Sequence, residues 1–442
     1  MKILKFLSAA ACFLFVFGIL TMYGQKSDVS FTGVVEQIII EGDPSRAEFF
    51  LISDSGNRYR LSDSKSLAVY TNRRVSLSGA LGGDRLNIKG DIRVLDGKSG
   101  LTAPPPTFGS RKVLVLLVKF PDTPPLTLTP EIARTKIFTS ELSPNEFVKE
   151  ASQNRYRLTG SLRPDGDVTQ WLTLPATPAG CDVYGQWTQS AGELARQNGF
   201  EPNNYNSVIY VFPHICNLRP SATVGPMGGT TTESIWLNEG TVYNEYTVTH
   251  ELGHNLGLMH ANGLSCQGND FPNNCTSVEY GDVFDAMGSG VTFFFNNYSR
   301  SALGWLTGRA ATVTESGDYR IIPPTATSKG IQILEIPLKN PDGTATGYSY
   351  FLEFRRPFSF DNRLTEPGYN FLYSGVGIRR APSVFVARQG TDLIDATPQT
   401  PTHLDAPLQA GYTFFDKRHG VFIVSNGTNP HFGARVSVFF TR

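Results

Sequence analysis

Three histidines and one glycine at fixed spacing dictate the local course of this chain. His250 and His254 stand four residues apart, so on a helix they project from one face about one turn from each other. His260 could not join them if the helix ran on. Six more residues would rotate it by about 240° and carry it roughly 9 Å along the axis. The helix must therefore end between them. Gly257 is the residue type that takes the left-handed conformation found at helix ends. The eleven residues from His250 to His260 thus predict helix, turn, third histidine. The chain has only seven histidines in 442 residues, and three are spent here.

Three neutral imidazoles converging on one point suit a zinc ion and leave its fourth position open, which marks a catalytic rather than a structural site. Glu251, beside the first histidine, is not a ligand in this reading. It is placed to take a proton from an attacking water and return it to a leaving amine. The pattern HExxHxxGxxH therefore predicts zinc-dependent hydrolysis of a peptide bond. The alternative is a helix with ordinary core or surface histidines. A structural zinc site fits less well, because it gives Glu251 no purpose and the cysteines lack ligand spacing.

Downstream, Tyr280-Gly281-Asp282-Val283-Phe284-Asp285-Ala286-Met287-Gly288 follows the motif helix as the Met-containing turn of metzincins does. Taken alone, Met287 would read as an ordinary core methionine. The wording HELGHNLGLMHA, then EYGDVFDAMG, then Phe295-Asn296-Asn297 leading to Leu303-Gly304-Trp305-Leu306, resembles the gametolysin-like metzincin metalloproteases, peptidase family M11. The resemblance covers about Arg111 to Leu306, more loosely the rest. It implies a secreted zinc endopeptidase with His250, His254 and His260 as ligands, Glu251 as base and Met287 as an apolar floor beneath the metal. Cleavage of cell-wall glycoproteins, known for algal members, does not carry over automatically. Ser289 stands where some metzincin subfamilies place a tyrosine near the oxyanion, which leaves that helper unassigned; Tyr298 is a candidate.

Thirty-nine basic and thirty-nine acidic residues balance, so nothing points to nucleic acid or an anionic membrane. Lys2 and Lys5 precede an apolar run from Phe6 to Leu20, which predicts a signal peptide over residues 1–24 and a secreted protein. Met22 and Tyr23 make a poor cleavage site, so membrane contact through an uncleaved anchor stays open. Past Cys12, the four cysteines Cys181, Cys216, Cys266 and Cys275 suggest disulfides in an exported chain. Three pairings are possible. Cys266–Cys275 and Cys181–Cys216 are favoured, with four free thiols as the alternative.

The length exceeds one ordinary domain, and 43 glycines, 28 prolines and 12% aromatics suit a strand- and loop-rich protein. Residues 25–97 alternate like a small β-barrel, OB-like, positioned as a possible propeptide. No cysteine lies between Cys12 and Cys181, so a cysteine switch is not available; blockade by Asp or Glu remains open. Residues 98–110, with Pro104-Pro105-Pro106, read as a linker and processing site. Residues 111–309 form the expected α+β metzincin domain. In it, Thr232 to Asn238, carrying Ile235 and Trp236, is expected as the edge strand over the cleft, where extended substrate could add. Residues 310–442 read as a β-sandwich. The predicted architecture is therefore multidomain, with protein or peptide as substrate. An exported, non-catalytic binding protein on a metzincin scaffold is the competing reading; the complete His/Glu set argues against it.

Overall fold

The structure is a computed structural model that describes residues 29–441, except 43, 63–66, 96–106, 176–179, 227–231, 267–270, 272–273, 290–292, 325–328, 384–389 and 401. The expected signal peptide lies outside the described residues, as does most of the linker. The described residues form a mixed α/β structure with three sheets, one of which curls at its end into a small closed barrel.

The barrel comprises β1 (Val29–Ile40), β2 (Arg46–Ser53), β3 (Arg58–Leu61), β4 (Arg74–Gly82) and β5 (Arg85–Ile88), with β6 (Arg93–Val94) on β4. The order β1-β2-β3-β5-β4 closes because β4 also pairs with β1. Val35, Leu51, Leu61, Val75, Leu77 and Leu86 fill its interior. At Gly33, β1 is squeezed between β2 and β4, and a Cβ there would lie 2.2 Å from the carbonyl oxygen of Ile52. The twelve residues of β1 do two jobs. Val29 to Val34 pair with β4, and Ile38 to Ile40 run on to join the central sheet. That last stretch is buried without alternation, as a strand covered on both faces must be.

The central sheet is built on β7 (Gly109–Lys119), whose Val113 to Val118 are all fully buried. After it come α1 (Pro130–Arg134), α2 (Pro144–Ala151), β8 (Tyr156–Thr159), β9 (Asp167–Val168), β10 (Leu172–Thr173), α3 (Thr188–Gln197), β11 (Ser207–Phe212), β12 (Ser221–Thr223), β13 (Glu233–Asn238) and α4 (Glu245–Asn255). Strands run β10-β7-β11-β13-β12-β1, parallel up to β13, with β12 antiparallel. Alternate residues of β7 and β11 serve two cores. Val113, Val115 and Leu117 pack with Leu252 and Leu256 of the α4 side. Leu114, Leu116 and Trp236 pack with Trp187 and Ala191 on the other, together with Ile38, Ile40 and Phe50 of the barrel. Burial of those three side chains contributes about 5–9 kcal/mol of gross hydrophobic stabilisation to the seam.

The edge strand differs from expectation. β13 is interior, paired on both sides, and Trp236 is buried. The edge of the central sheet proper is the three-residue β12, and β1 covers it.

The remainder comprises β14 (Ala261–Cys266), β15 (Cys275–Val278), α5 (Asn297–Ala302), β16 (Ala310–Thr312), β17 (Gly317–Ile321), β18 (Ile333–Lys339), β19 (Ala345–Glu353), β20 (Gly375–Pro382), β21 (Thr391–Ile394), β22 (Leu408–Gln409), β23 (Thr413–Asp416), β24 (Val421–Asn429) and β25 (Gly433–Phe440). An eight-stranded sheet, β15-β14-β21-β20-β19-β18-β16 with β22, faces the four-stranded β17-β25-β24-β23. Leu334, Ile336, Leu352 and Ile378 from the first meet Ile321, Ile423, Val436 and Val438 from the second in one core. This sheet crosses the boundary expected at residue 310, because β14 pairs in parallel with β21. Disulfides join Cys181 to Cys216 and Cys266 to Cys275, the second closing the β14–β15 hairpin.

Candidate metal centre

Helix α4 starts where the Asn244 side chain accepts the Tyr246 N–H, satisfying a donor that the first turn leaves open. It stops at Leu256, and Gly257 adopts φ +92. The Leu258 N–H folds back on the Gly253 carbonyl at 3.0 Å, and the chain reverses to bring His260 beside the helix. Imidazole centroids are 5.0 Å apart for His250–His254, 5.3 Å for His250–His260 and 5.0 Å for His254–His260. All three histidines are buried.

Each ring is oriented by its far nitrogen. His250 Nδ1 lies 2.7 Å from the Ala286 carbonyl, His254 Nδ1 2.8 Å from the Leu258 carbonyl, and His260 Nδ1 2.8 Å from Glu279 Oε1. Carbonyls and carboxylates only accept, so each Nδ1 carries the proton and each Nε2 presents a lone pair. Those lone pairs converge with the carboxylate of Glu41, and the four donor atoms all lie within 4.8 Å of one another. Four electron-rich atoms aimed at one spot repel unless a cation sits among them. Three imidazoles and a carboxylate are donors a divalent metal of the zinc type accepts. Acceptors that hold histidine Nδ1–H groups this way are the usual second layer of such a centre.

Glu41 follows the last residue of β1. Its Oε1 lies 3.2 Å from His254 Nε2 and 3.4 Å from His260 Nε2; its Oε2 lies 3.5 Å from His250 Nε2 and accepts from the Tyr280 hydroxyl at 2.6 Å. Burial pushes its carboxyl up, but positive charge among the histidines, carried on their Nε2 side as a proton, outweighs this and holds it well below the usual carboxylate range. Burial drives His254 down to about 4. At His260 burial acts the same way, but Glu279 and Glu41 reverse it and the pKa rises. Its hydrogen bond to His260 draws Glu279 down to about 2.

Glu251 is fully buried, and neither carboxylate oxygen has a hydrogen-bond partner among the described residues. Burial, then the charge of Glu41, pushes its carboxyl well up. A buried acid left unsatisfied is costly and marks a group kept for a task rather than for stability.

Met287 is fully buried directly against the helix: a Cβ on Gly253 would lie 2.3 Å from its sulfur. Its turn is fixed from several sides. Asp285 accepts the Met287 and Asn296 N–H groups at 2.6 Å each, and Ala261 N–H donates to the Met287 carbonyl at 2.8 Å. The Tyr246 hydroxyl donates to the Gly288 carbonyl at 2.7 Å. Asp282 is held by Arg379 from β20 at 2.6 Å, and Arg379 also grips Glu353 of β19 at 2.6 Å.

The candidates the motif named are thus together: His250, His254 and His260 around one point, Glu251 beside them, Met287 beneath. Tyr298 is elsewhere, buried against Phe351 with centroids 4.8 Å apart. The tyrosine at the centre is Tyr280, whose ring is 4.2 Å from that of His260 and whose backbone is held at φ 58. Glu279 and Tyr280 open the quoted stretch EYGDVFDAMG, so their place within it was the available signal. Glu41 had none beyond its place after an apolar run.

Residues 113–370, more than half of the chain, match the family model described as gametolysin peptidase M11. No curated protein matches the chain. Among the described residues no helix is long and apolar enough to cross a membrane. On the extent of the family match, the chain belongs to the gametolysin peptidases, family M11.

Proposed function

We propose that this peptidase is a secreted zinc-dependent endopeptidase in which His250, His254 and His260 hold the metal and Glu251 is the general base. The carrying observation is the convergence of three Nε2 lone pairs, each fixed by an Nδ1 hydrogen bond, beside a buried carboxylate without a partner. Zinc, when bound, polarises a carbonyl and makes a neighbouring water more acidic. Glu251 takes the proton from the attacking water and hands it to the leaving amine. Its raised pKa suits a group that must hold that proton in between. The Tyr280 hydroxyl, which already donates to a carboxylate oxygen in the cleft, is the donor available to the developing oxyanion. Residues 111–309 serve as a metzincin-type catalytic region; the antiparallel edge strand β12 and the Met287 turn support this. The two disulfides support export.

The test uses the full chain carrying Glu41→Ala, which takes that carboxylate away from the histidines, first without and then with Glu251→Gln. The first should cut an unfolded protein and stop when a chelator is added. The second should keep one zinc per chain and lose at least about a hundredfold in rate. Equal cleavage by both would remove Glu251 from the chemistry.

A further inference from the structure

We propose that Glu41 is the fourth ligand of the metal in the intact chain, and that the N-terminal barrel thereby keeps the peptidase latent. The proposal rests on the assignment of His250, His254 and His260 as the other three. Four ligand atoms about 2.0–2.1 Å from one ion at tetrahedral corners lie about 3.3–3.4 Å from each other. Glu41 Oε1 stands 3.2 Å from His254 Nε2 and 3.4 Å from His260 Nε2, while Oε2 stands 3.5 Å from His250 Nε2. Oε1 thus has tetrahedral edge spacing to two of the ligands and its twin oxygen reaches the third, so the carboxylate as a whole occupies the position a catalytic site must leave open.

The carboxylate is delivered without slack. The Glu41 N–H donates to the Pro220 carbonyl at 3.0 Å, and Arg219 Nη1 reaches the Glu41 carbonyl at 3.4 Å. A Cβ at Gly42 would come within 2.5 Å of that guanidinium, so glycine there leaves Arg219 free to reach the Glu41 carbonyl. Ser45 then clasps Glu279, its N–H at 3.2 Å and its hydroxyl on the other oxygen. Tyr280 holds the second Glu41 oxygen. The same carboxylate that steers His260 thus also anchors the segment that blocks the metal.

The strand leading to Glu41 matters as much as its side chain. Ile38, Ile39 and Ile40 pair with Thr223, Ala222 and Ser221 of β12. An extended peptide adding to the sheet beside the metal would need that edge. The barrel therefore withholds both things a substrate requires, the backbone seat and the open coordination position.

The experiment compares full-length wild type, Glu41→Gln and Glu41→Ala, each loaded with cobalt(II) in place of zinc. Visible absorption and titration with a peptide hydroxamate are read; peptide hydrolysis is read in the zinc forms. Wild type should show a four-coordinate spectrum indifferent to the hydroxamate. Both variants should change spectrum, bind the hydroxamate and hydrolyse at least about tenfold faster, since a ligand tethered at millimolar effective concentration has been removed. Altered spectra and hydroxamate binding without faster hydrolysis would uphold Glu41 as ligand and assign the remaining latency to Ile38 to Ile40, which still fill the β12 edge. Identical spectra and hydroxamate affinities in all three proteins would overturn the proposal, as would wild-type hydrolysis as fast as that of the variants.

Discussion

Replacing Arg379 with methionine keeps much of the side chain's bulk and removes its charge. Arg379 is 1% exposed and faces two carboxylates as deeply buried as itself, Asp282 at 0% and Glu353 at 2%. It bonds Asp282 through Nε at 2.6 Å and Nη2 at 3.2 Å, and Glu353 through Nη1 at 2.6 Å. Without it, Asp282 keeps the Phe284 N–H at 3.1 Å, and Glu353 keeps the Asn297 N–H at 2.7 Å with Arg355 no nearer than 3.8 Å. Breaking a buried pair by deleting one partner costs about 3–5 kcal/mol, because the remaining charge is stranded in low dielectric. That is a large part of the roughly 5–15 kcal/mol by which a folded protein is stable. The loss should appear as an earlier midpoint in urea unfolding of the zinc-loaded full chain. Asp282→Asn added to Arg379→Met should recover part of it, a coupling that a double-mutant cycle reads directly. Metal retention should fall too, since the Asp282 N–H donates to Ala261, next to His260. A loss below about 1 kcal/mol, or no recovery in the double variant, would refute the view that this arginine neutralises the turn.

Gly253→Ala would press a methyl group into the Met287 sulfur, costing about 1–3 kcal/mol by overpacking and weakening zinc retention; Met287→Ala added to it should restore retention, measured by metal analysis after dialysis. Tyr280→Phe in the Glu41→Ala chain should lower kcat about 10- to 100-fold with KM little changed if its hydroxyl meets the oxyanion; steady-state kinetics separate the two constants. Serines in place of both Cys266 and Cys275 remove a cross-link spanning nine residues and should cost about 2–3 kcal/mol in thermal unfolding.

The sequence made the histidine cluster legible because its constraint is local. Four-residue spacing and one glycine are enough to require helix, turn and return, and α4 with Gly257 at φ +92 has that form. Strands with strong apolar runs, such as Val113 to Val118, were legible for the same reason. What stayed hidden depends on pairing across long stretches of chain. Glu41 lies 213 residues before His254. Nothing near it distinguishes it from any glutamate after a strand. The edge strand was misplaced because β12 is only Ser221-Ala222-Thr223, too short and too weakly apolar to show a period, while β13 beside it is strongly apolar. The sheet that spans residue 310 was hidden because parallel pairing of β14 with β21 leaves no mark in either segment. No spacing rule singles out a tyrosine helper, and it is Tyr280, ahead of Met287, that reaches the centre, while Tyr298 packs on Phe351.

The path out of the motif helix also makes the molecule sensitive to its own completeness. His260 passes directly into β14, which lies against β21, and a Cβ on Gly390 would come within 2.2 Å of the His260 carbonyl oxygen. The third histidine is thus seated by chain far downstream of the motif that carries it. Under the proposed metal assignment, a copy cut between β14 and β21 would not persist as an unrestrained peptidase. It would lose its grip on the ion first, so damage to the downstream sheet disarms the centre.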